Sequence, residues 1–134
     1  MDTEPLARAA RALKHVELLV LFGSAAAERM RPDSDVDVGV LIDADSFEIR
    51  TEIIATLGRV VERPIDVVFI RDAPPQLAFE IAKGQLLFER HGGIWRDMKA
   101  RAMLEWWDWQ ETARWMHQIY ADRLRKQVEA GRGS

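Results

Sequence analysis

The sequence contains no cysteine. That excludes disulfides, thiolate nucleophiles and cysteine-based zinc sites, and it fits a reducing compartment such as the cytoplasm. No apolar run approaches the roughly 18–20 residues needed to cross a bilayer, so no membrane association is expected. The opening stretch, MDTEPLARAARALKH, lacks the continuous apolar core of a signal peptide. Nor is there a basic surplus: 19 Lys and Arg stand against 22 Asp and Glu, a net charge of −3. This argues against direct nucleic-acid binding, which usually demands a basic surface. Internal repeats, low-complexity tracts and the glycine-rich phosphate and dinucleotide fingerprints are all missing. At 134 residues the chain suits one domain that needs no covalent staples.

What is present reads as strands interleaved with helices. Thr3 is a candidate cap for a short helix with Pro5 in its first turn and Leu6, Ala9, Ala10 and Leu13 at helical spacing. VELLVLF, Val16 to Phe22, is a short apolar run ended by Gly23, which predicts a buried strand. Ser24 to Arg29 is short and alanine-rich and predicts one or two helical turns. DVDVGVLI alternates before turning fully apolar, which predicts a second strand. Asp45 and Ser46 are candidate caps for a helix to about Val61, and IDVVFI is a third strand after Pro64. APPQLAFEIAKGQLLFER predicts a helix opened by Pro74 and Pro75, closed by Gly84 and followed by a short strand. Trp95 to Val128 holds neither Gly nor Pro and predicts one long helix. The pattern is that of an α/β or α+β layered domain.

The carboxylates carry the chemistry. Residues two apart on a strand share a face, so Asp35 and Asp37 project together while Val36 and Val38 point the other way. Two such charges repel by roughly 4 kcal/mol at an effective dielectric near 20, which calls for a cation or a raised pKa. A hard divalent ion with oxygen ligands is the natural partner. Asp66 repeats the pattern at the head of the third strand. Placed beside the second strand, it completes a three-carboxylate cluster suited to phosphoryl transfer. An EF-hand is excluded by spacing: counted from Asp33, the obligatory glycine would be Val38 and the bidentate glutamate Ala44. Gly23 and Ser24, where a strand ends, allow close backbone approach to a phosphate and add a hydroxyl.

Gly-Ser at the end of one strand, ten residues, Asp-x-Asp in the next and a further Asp in a third together resemble the nucleotidyltransferase superfamily with the DNA polymerase β type of fold. RPDSDVDVGVLI and APPQLAFEIAKGQLLFER resemble, more narrowly, the minimal nucleotidyltransferase (MNT) antitoxins of HEPN/MNT toxin–antitoxin modules. The likeness covers about 16–90 well and the C-terminal helix loosely. It implies a small mixed sheet flanked by helices, with a catalytic core over 1–93 and a helical arm over 94–134 of a single domain.

It also implies an antitoxin that transfers AMP from ATP to a tyrosine of a cognate HEPN-type RNase toxin, forming a hetero-oligomer with it. By position, Gly23 and Ser24 would hold the triphosphate, Asp35 and Asp37 would bind Mg2+, and Asp66 would be the third carboxylate, helping to activate the incoming hydroxyl. Family members commonly continue with a basic, glycine-containing run. This chain has Ala25, Ala26, Ala27 and Glu28, leaving Arg29 and Arg31 as the nearby cations. An antitoxin acting by binding alone is therefore a competing expectation, as is a transferase for a small molecule of the aminoglycoside kind. The forty or so residues after Arg90, mostly one helix, suit a macromolecular substrate better than a small-molecule pocket.

That helix carries an apolar stripe: Trp95, Met98, Ala102, Trp106, Trp109, Ala113, Met116, Tyr120 and Leu124. The stripe is expected to pack on the chain's own sheet or helices. Trp107 and Trp115 lie on the opposite side and are the expected partner interface. Arg114, His117 and Tyr120 echo the Arg, His and Tyr signature of the toxins, but with the wrong spacing, and read as ordinary helix residues. His15 and His91 have no companions that suggest a ligand set.

Overall fold

In the computed structural model, which describes residues 1–24, 26 and 35–132, β1 (Val16–Phe22) is the most deeply buried strand. It is apolar along almost its whole length because it is covered on both faces: Leu19 and Leu21 enter one core, Leu18, Val20 and Phe22 the other. β2 (Val36–Ile42) and β4 (Gln85–Glu89) flank it antiparallel, and β3 (Ile65–Phe69) pairs parallel with β2. The sheet order is therefore β3-β2-β1-β4, a mixed sheet between two helical layers.

One layer is α1 (Glu4–Ala12) and α2 (Phe47–Arg59), which seat Leu6, Ala10, Ile53 and Leu57 against Val36, Val38 and Val40. The other is α3 (Pro75–Ala82) and the first turns of α4 (Ile94–Arg132), which seat Ile81, Met98 and Ala102 against Leu18 and Val20. Gly39 is where α3 crosses β2. A Cβ there would stand 2.9 Å from Ile81 Cγ2, so only a bare backbone admits the helix this close.

Local chemistry sets the ends of these elements. Thr3 occupies the expected cap position of α1, but its side chain makes no capping bond. The Asp2 carboxylate accepts from the Glu4 N–H instead, at 3.0 Å. Ser46 caps α2 by accepting from Ile49 N–H at 3.1 Å. Asp45 takes a different role from the one its position suggests: it receives a fork from Arg50 (2.6 and 2.7 Å). Arg50 also reaches Asp72 at 2.7 Å and lies over the Phe69 ring, tying α2 to the 3-10 turn Ile70–Asp72 after β3. Arg90 holds the end of α1 to β1 by donating to the carbonyls of Leu13 (2.8 Å) and Val16 (2.9 Å). Glu89 accepts from Trp95 N–H at 3.0 Å and satisfies the start of α4.

The long helix departs from expectation. Its stripe is covered at Met98 and Ala102, and Trp106 still stacks on Phe79 of α3 with ring centroids 5.0 Å apart. Beyond that point the stripe has no layer to pack against. Trp109 stacks on Trp106 at 5.3 Å but is 44% exposed, and Met116, Tyr120 and Leu124 face solvent. The reason is length: 39 residues make a helix of roughly 58 Å, and α3 covers only its first third. Trp107 and Trp115 are 67% and 59% exposed. No helix among the described residues is long and apolar enough to cross a membrane.

Candidate active site

The cluster is assembled by strand register. Asp37 sits directly opposite Asp66 in the parallel β2–β3 ladder, and directly opposite Phe22 in the antiparallel β1–β2 ladder. Paired residues share a face. Asp37, Asp66 and Phe22 therefore lie on the side of the sheet occupied by α3, while Val36 and Val38 point to α1 and α2. Asp35 immediately precedes β2 and is exposed, as is Asp66; Asp37 is half-buried. Val36 N–H donates to Pro64 carbonyl at 2.9 Å, which locks the head of β2 to the head of β3.

Burial beside the sheet pushes the Asp37 carboxyl above its ordinary value, and repulsion from Asp66 and then Asp35 pushes it in the same direction. Among the described residues none of the three carboxylates has a cation or hydrogen-bond donor to offset that repulsion.

Gly23 and Ser24 follow Phe22 and so lie beside Asp37. Gly23 has φ +72°, and a Cβ on it would stand 2.6 Å from Asp37 Oδ2. The glycine is thus required twice, for a left-handed turn and for contact between backbone and carboxylate. Ser24 is half-buried in that turn. Ala25, Ala27, Glu28, Arg29, Arg31 and Asp33 lie outside the described residues, as do most of the helical turns expected there.

The donor set fits a hard divalent cation. Asp35, Asp37 and Asp66 are all carboxylates, and Asp37 is raised by its neighbours' charge, which a cation would relieve. Among the described residues no group of three His, Cys, Asp or Glu side chains is placed to hold a metal ion, so the fit rests on the chemistry of the carboxylates alone. Magnesium usually takes one or two of them and fills its shell with waters and substrate phosphates.

A cleft of about 370 Å³ opens at the other end of the same face, lined by Glu17, Leu41, Arg71, Asp97, Arg101 and Glu105 among others. Sequence periodicity has no signal for it, because its walls come from β1, β2, the 3-10 turn after β3, α3 and α4. Leu41 is four residues along β2 from Asp37, roughly 13 Å, and Ile81 over Gly39 stands between them. Concavity and charge convergence thus point to different places. The carboxylates expected from the sequence lie at the head of β2 and β3, and the cleft contains none of them.

These features define a nucleotidyltransferase fold, and comparison with known proteins agrees. Residues 4–92 match the polymerase beta nucleotidyltransferase family, and the chain belongs to that family. No curated protein matches it by sequence.

Among solved structures, it is similar to a chain of a crystal structure of a toxin–antitoxin with AMP-PNP. The TM-score is 0.76 and the identity 18%, over 90% of this chain and 99% of that one. A chain of the toxin–antitoxin MntA–HepT has TM-score 0.67 and 18% identity, over 87% of this chain and 93% of that one. A complex of tri-AMPylated Shewanella oneidensis HEPN toxin with MNT antitoxin contains a chain with TM-score 0.67 and 18% identity, over 87% of this chain and 92% of that one. At these identities the likeness establishes the fold.

Proposed function

We propose that this protein is an MNT-type antitoxin that transfers AMP from ATP to a tyrosine of a cognate HEPN-type toxin. The observation that carries the reading is the register of Asp37 against Asp66, with Gly23 packed onto the Asp37 carboxylate. Membership of the nucleotidyltransferase family supports the reaction class. The resemblance in fold to chains of toxin–antitoxin complexes, one with AMP-PNP and one with a tri-AMPylated toxin, supports the substrate and partner.

In this reading Gly23 lets the backbone approach the triphosphate, and Ser24 donates its hydroxyl to a phosphate oxygen. Asp35 and Asp37 would hold Mg2+. When bound, the ion supplies charge neutralisation for the phosphates and for the leaving pyrophosphate. Asp66, exposed at the head of β3, orients the incoming phenol and takes up its proton. The phenol oxygen bonds to the α-phosphorus, the α–β bridging P–O bond breaks, and pyrophosphate departs.

The direct test is intact mass of the toxin encoded beside this chain after incubation with this protein, ATP and magnesium. A gain of one or more AMP masses supports transfer, and an unchanged mass refutes it. Ala25, Ala27 and Glu28, where cations and glycine are usual, favour a second reading: an antitoxin on the same fold acting by binding alone. Each charge-assisted phosphate contact is worth about 1.5–3 kcal/mol. Two missing contacts weaken ATP binding by about two to four powers of ten. Calorimetric titration is expected to give weak ATP binding by the chain alone and tighter binding in the toxin complex. No binding in either state supports the second reading.

A further inference from the structure

The free half of α4 has a charge pattern that a single chain does not use. Glu105 and Arg123 are five helical turns apart and lie on the same line along the helix, as do Asp108 and Lys126. Both lines run along one flank of the exposed stripe formed by Trp109, Ala113, Met116 and Tyr120. That flank is therefore acidic towards the body of the protein and basic towards the far end. Among the described residues none of these four charges forms an ion pair within the chain, whereas Glu111 with Arg114 and Asp122 with Arg125 do, away from the stripe.

We propose that this surface is the docking site for a second copy of the chain, the two α4 helices pairing antiparallel along the stripe. A two-fold axis near residue 115 brings Trp109 of each copy to Tyr120 of the other and Ala113 to Met116. The same axis sets Glu105 and Asp108 of each copy beside Lys126 and Arg123 of the other. The opposite flank signs thus meet twice, which neither a parallel pair nor a chance partner reproduces. The stripe steps by three and four residues, the spacing that lets helices interdigitate.

Trp107 lies on the other side of α4 and stays outside this pair, whereas Trp115, seven residues from Asp108, stands on the Asp108–Lys126 line at its edge. The inference does not rest on the proposed transferase activity.

The test uses the full chain expressed alone, with mass measured by sedimentation equilibrium. Wild type is expected to be a dimer at micromolar concentration, weakened by added salt. Two charge-reversed variants, Glu105→Lys with Asp108→Lys and Arg123→Glu with Lys126→Glu, are each expected to raise the dissociation constant at least tenfold. Circular dichroism checks that helix content is kept. An equimolar mixture of the two variants is expected to regain wild-type affinity, because every reversed flank then meets its complement. A monomeric wild type at 100-fold higher concentration overturns the proposal, as does unaltered dimerisation of both variants or failure of the mixture to recover. Wild type that stays monomeric alone but binds the toxin through Met116 and Tyr120 overturns it in favour of a different occupant.

Discussion

The head of β2 and the far half of α4 both present groups that the domain leaves unsatisfied, but of opposite kinds and on opposite supports. At β2, Asp37 is repelled by Asp66 and Asp35 without an ion pair among the described residues. On α4, aromatic and aliphatic side chains extend without a covering layer. The carboxylates are held by a ladder: Asp37 cannot leave Asp66 without breaking the β2–β3 register that also seats Val36, Val38 and Val40. The aromatic residues stand on a single helix whose last tertiary anchor is Trp106 against Phe79. Under the proposed function, repulsion at the first region suits a small cationic ligand. Unsatisfied surface at the second is an invitation to a macromolecule.

The largest expected effect separates the two by chemistry. Asp37→Ala is expected to lower AMP transfer by about a thousand-fold or more, in line with the loss of a principal charge-stabilising group, while circular dichroism and melting remain those of a folded protein. Full activity in the folded variant would remove Asp37 from the mechanism. By contrast, Trp115→Ala leaves transfer to a small tyrosine mimic unchanged.

Gly23→Ala tests whether the first region depends on backbone shape. Alanine at φ +72° costs about 1–2 kcal/mol, and its Cβ would meet the Asp37 carboxylate. Transfer is expected to fall by roughly a hundred-fold, with a matching drop in urea midpoint. A variant as active and stable as wild type contradicts the close approach.

The second region is sharpened by comparing two tryptophans on one helix. Trp106→Ala removes a half-buried ring stacked on Phe79 and is expected to destabilise by about 2–3 kcal/mol. Trp115→Ala is expected to change the stability of the monomeric chain by no more than about 0.5 kcal/mol. Equal effects in chemical denaturation would show that the two halves of α4 are anchored alike.

The smallest effect concerns charge at Asp37. Its raised carboxyl means the folded state binds a proton more tightly than the unfolded chain. Its contribution to stability is therefore present below the ordinary value of 3.8 and is lost as pH rises through the raised one. In the absence of divalent ions, Asp37→Asn is expected to raise the melting temperature at neutral pH by up to about 3 °C. The gain should disappear near pH 4. Magnesium is expected to stabilise wild type and not the variant.

Much of this protein is legible in its sequence where spacing is local. VELLVLF reads as a strand covered on both faces, and β1 spans those residues. Pro64, Pro75 and Gly84 mark ends because proline and glycine act on their own backbone. The expected pairing of Asp35 with Asp37 rests on the two-residue period of a strand, but Asp35 lies just before β2 rather than within it. The cap of α1 was not legible: Thr3 and Asp2 are both good acceptors, and only the path of the chain selects Asp2. The cleft beside Leu41 was likewise invisible, since five elements distant in sequence contribute its walls.

By itself, then, the sequence determined the order of strands and helices, the place of Asp37 and Asp66 near the starts of their strands, and the stripe along α4. All three are local patterns set by covalent geometry over a few residues. Only the tertiary structure decided that β3 lies parallel beside β2 with Asp66 level with Asp37, and that the stripe loses its covering after Trp106. Register between strands distant in sequence depends on how whole layers pack. So does the point where α3 stops and α4 continues, because a helix carries no mark of how far its neighbour extends.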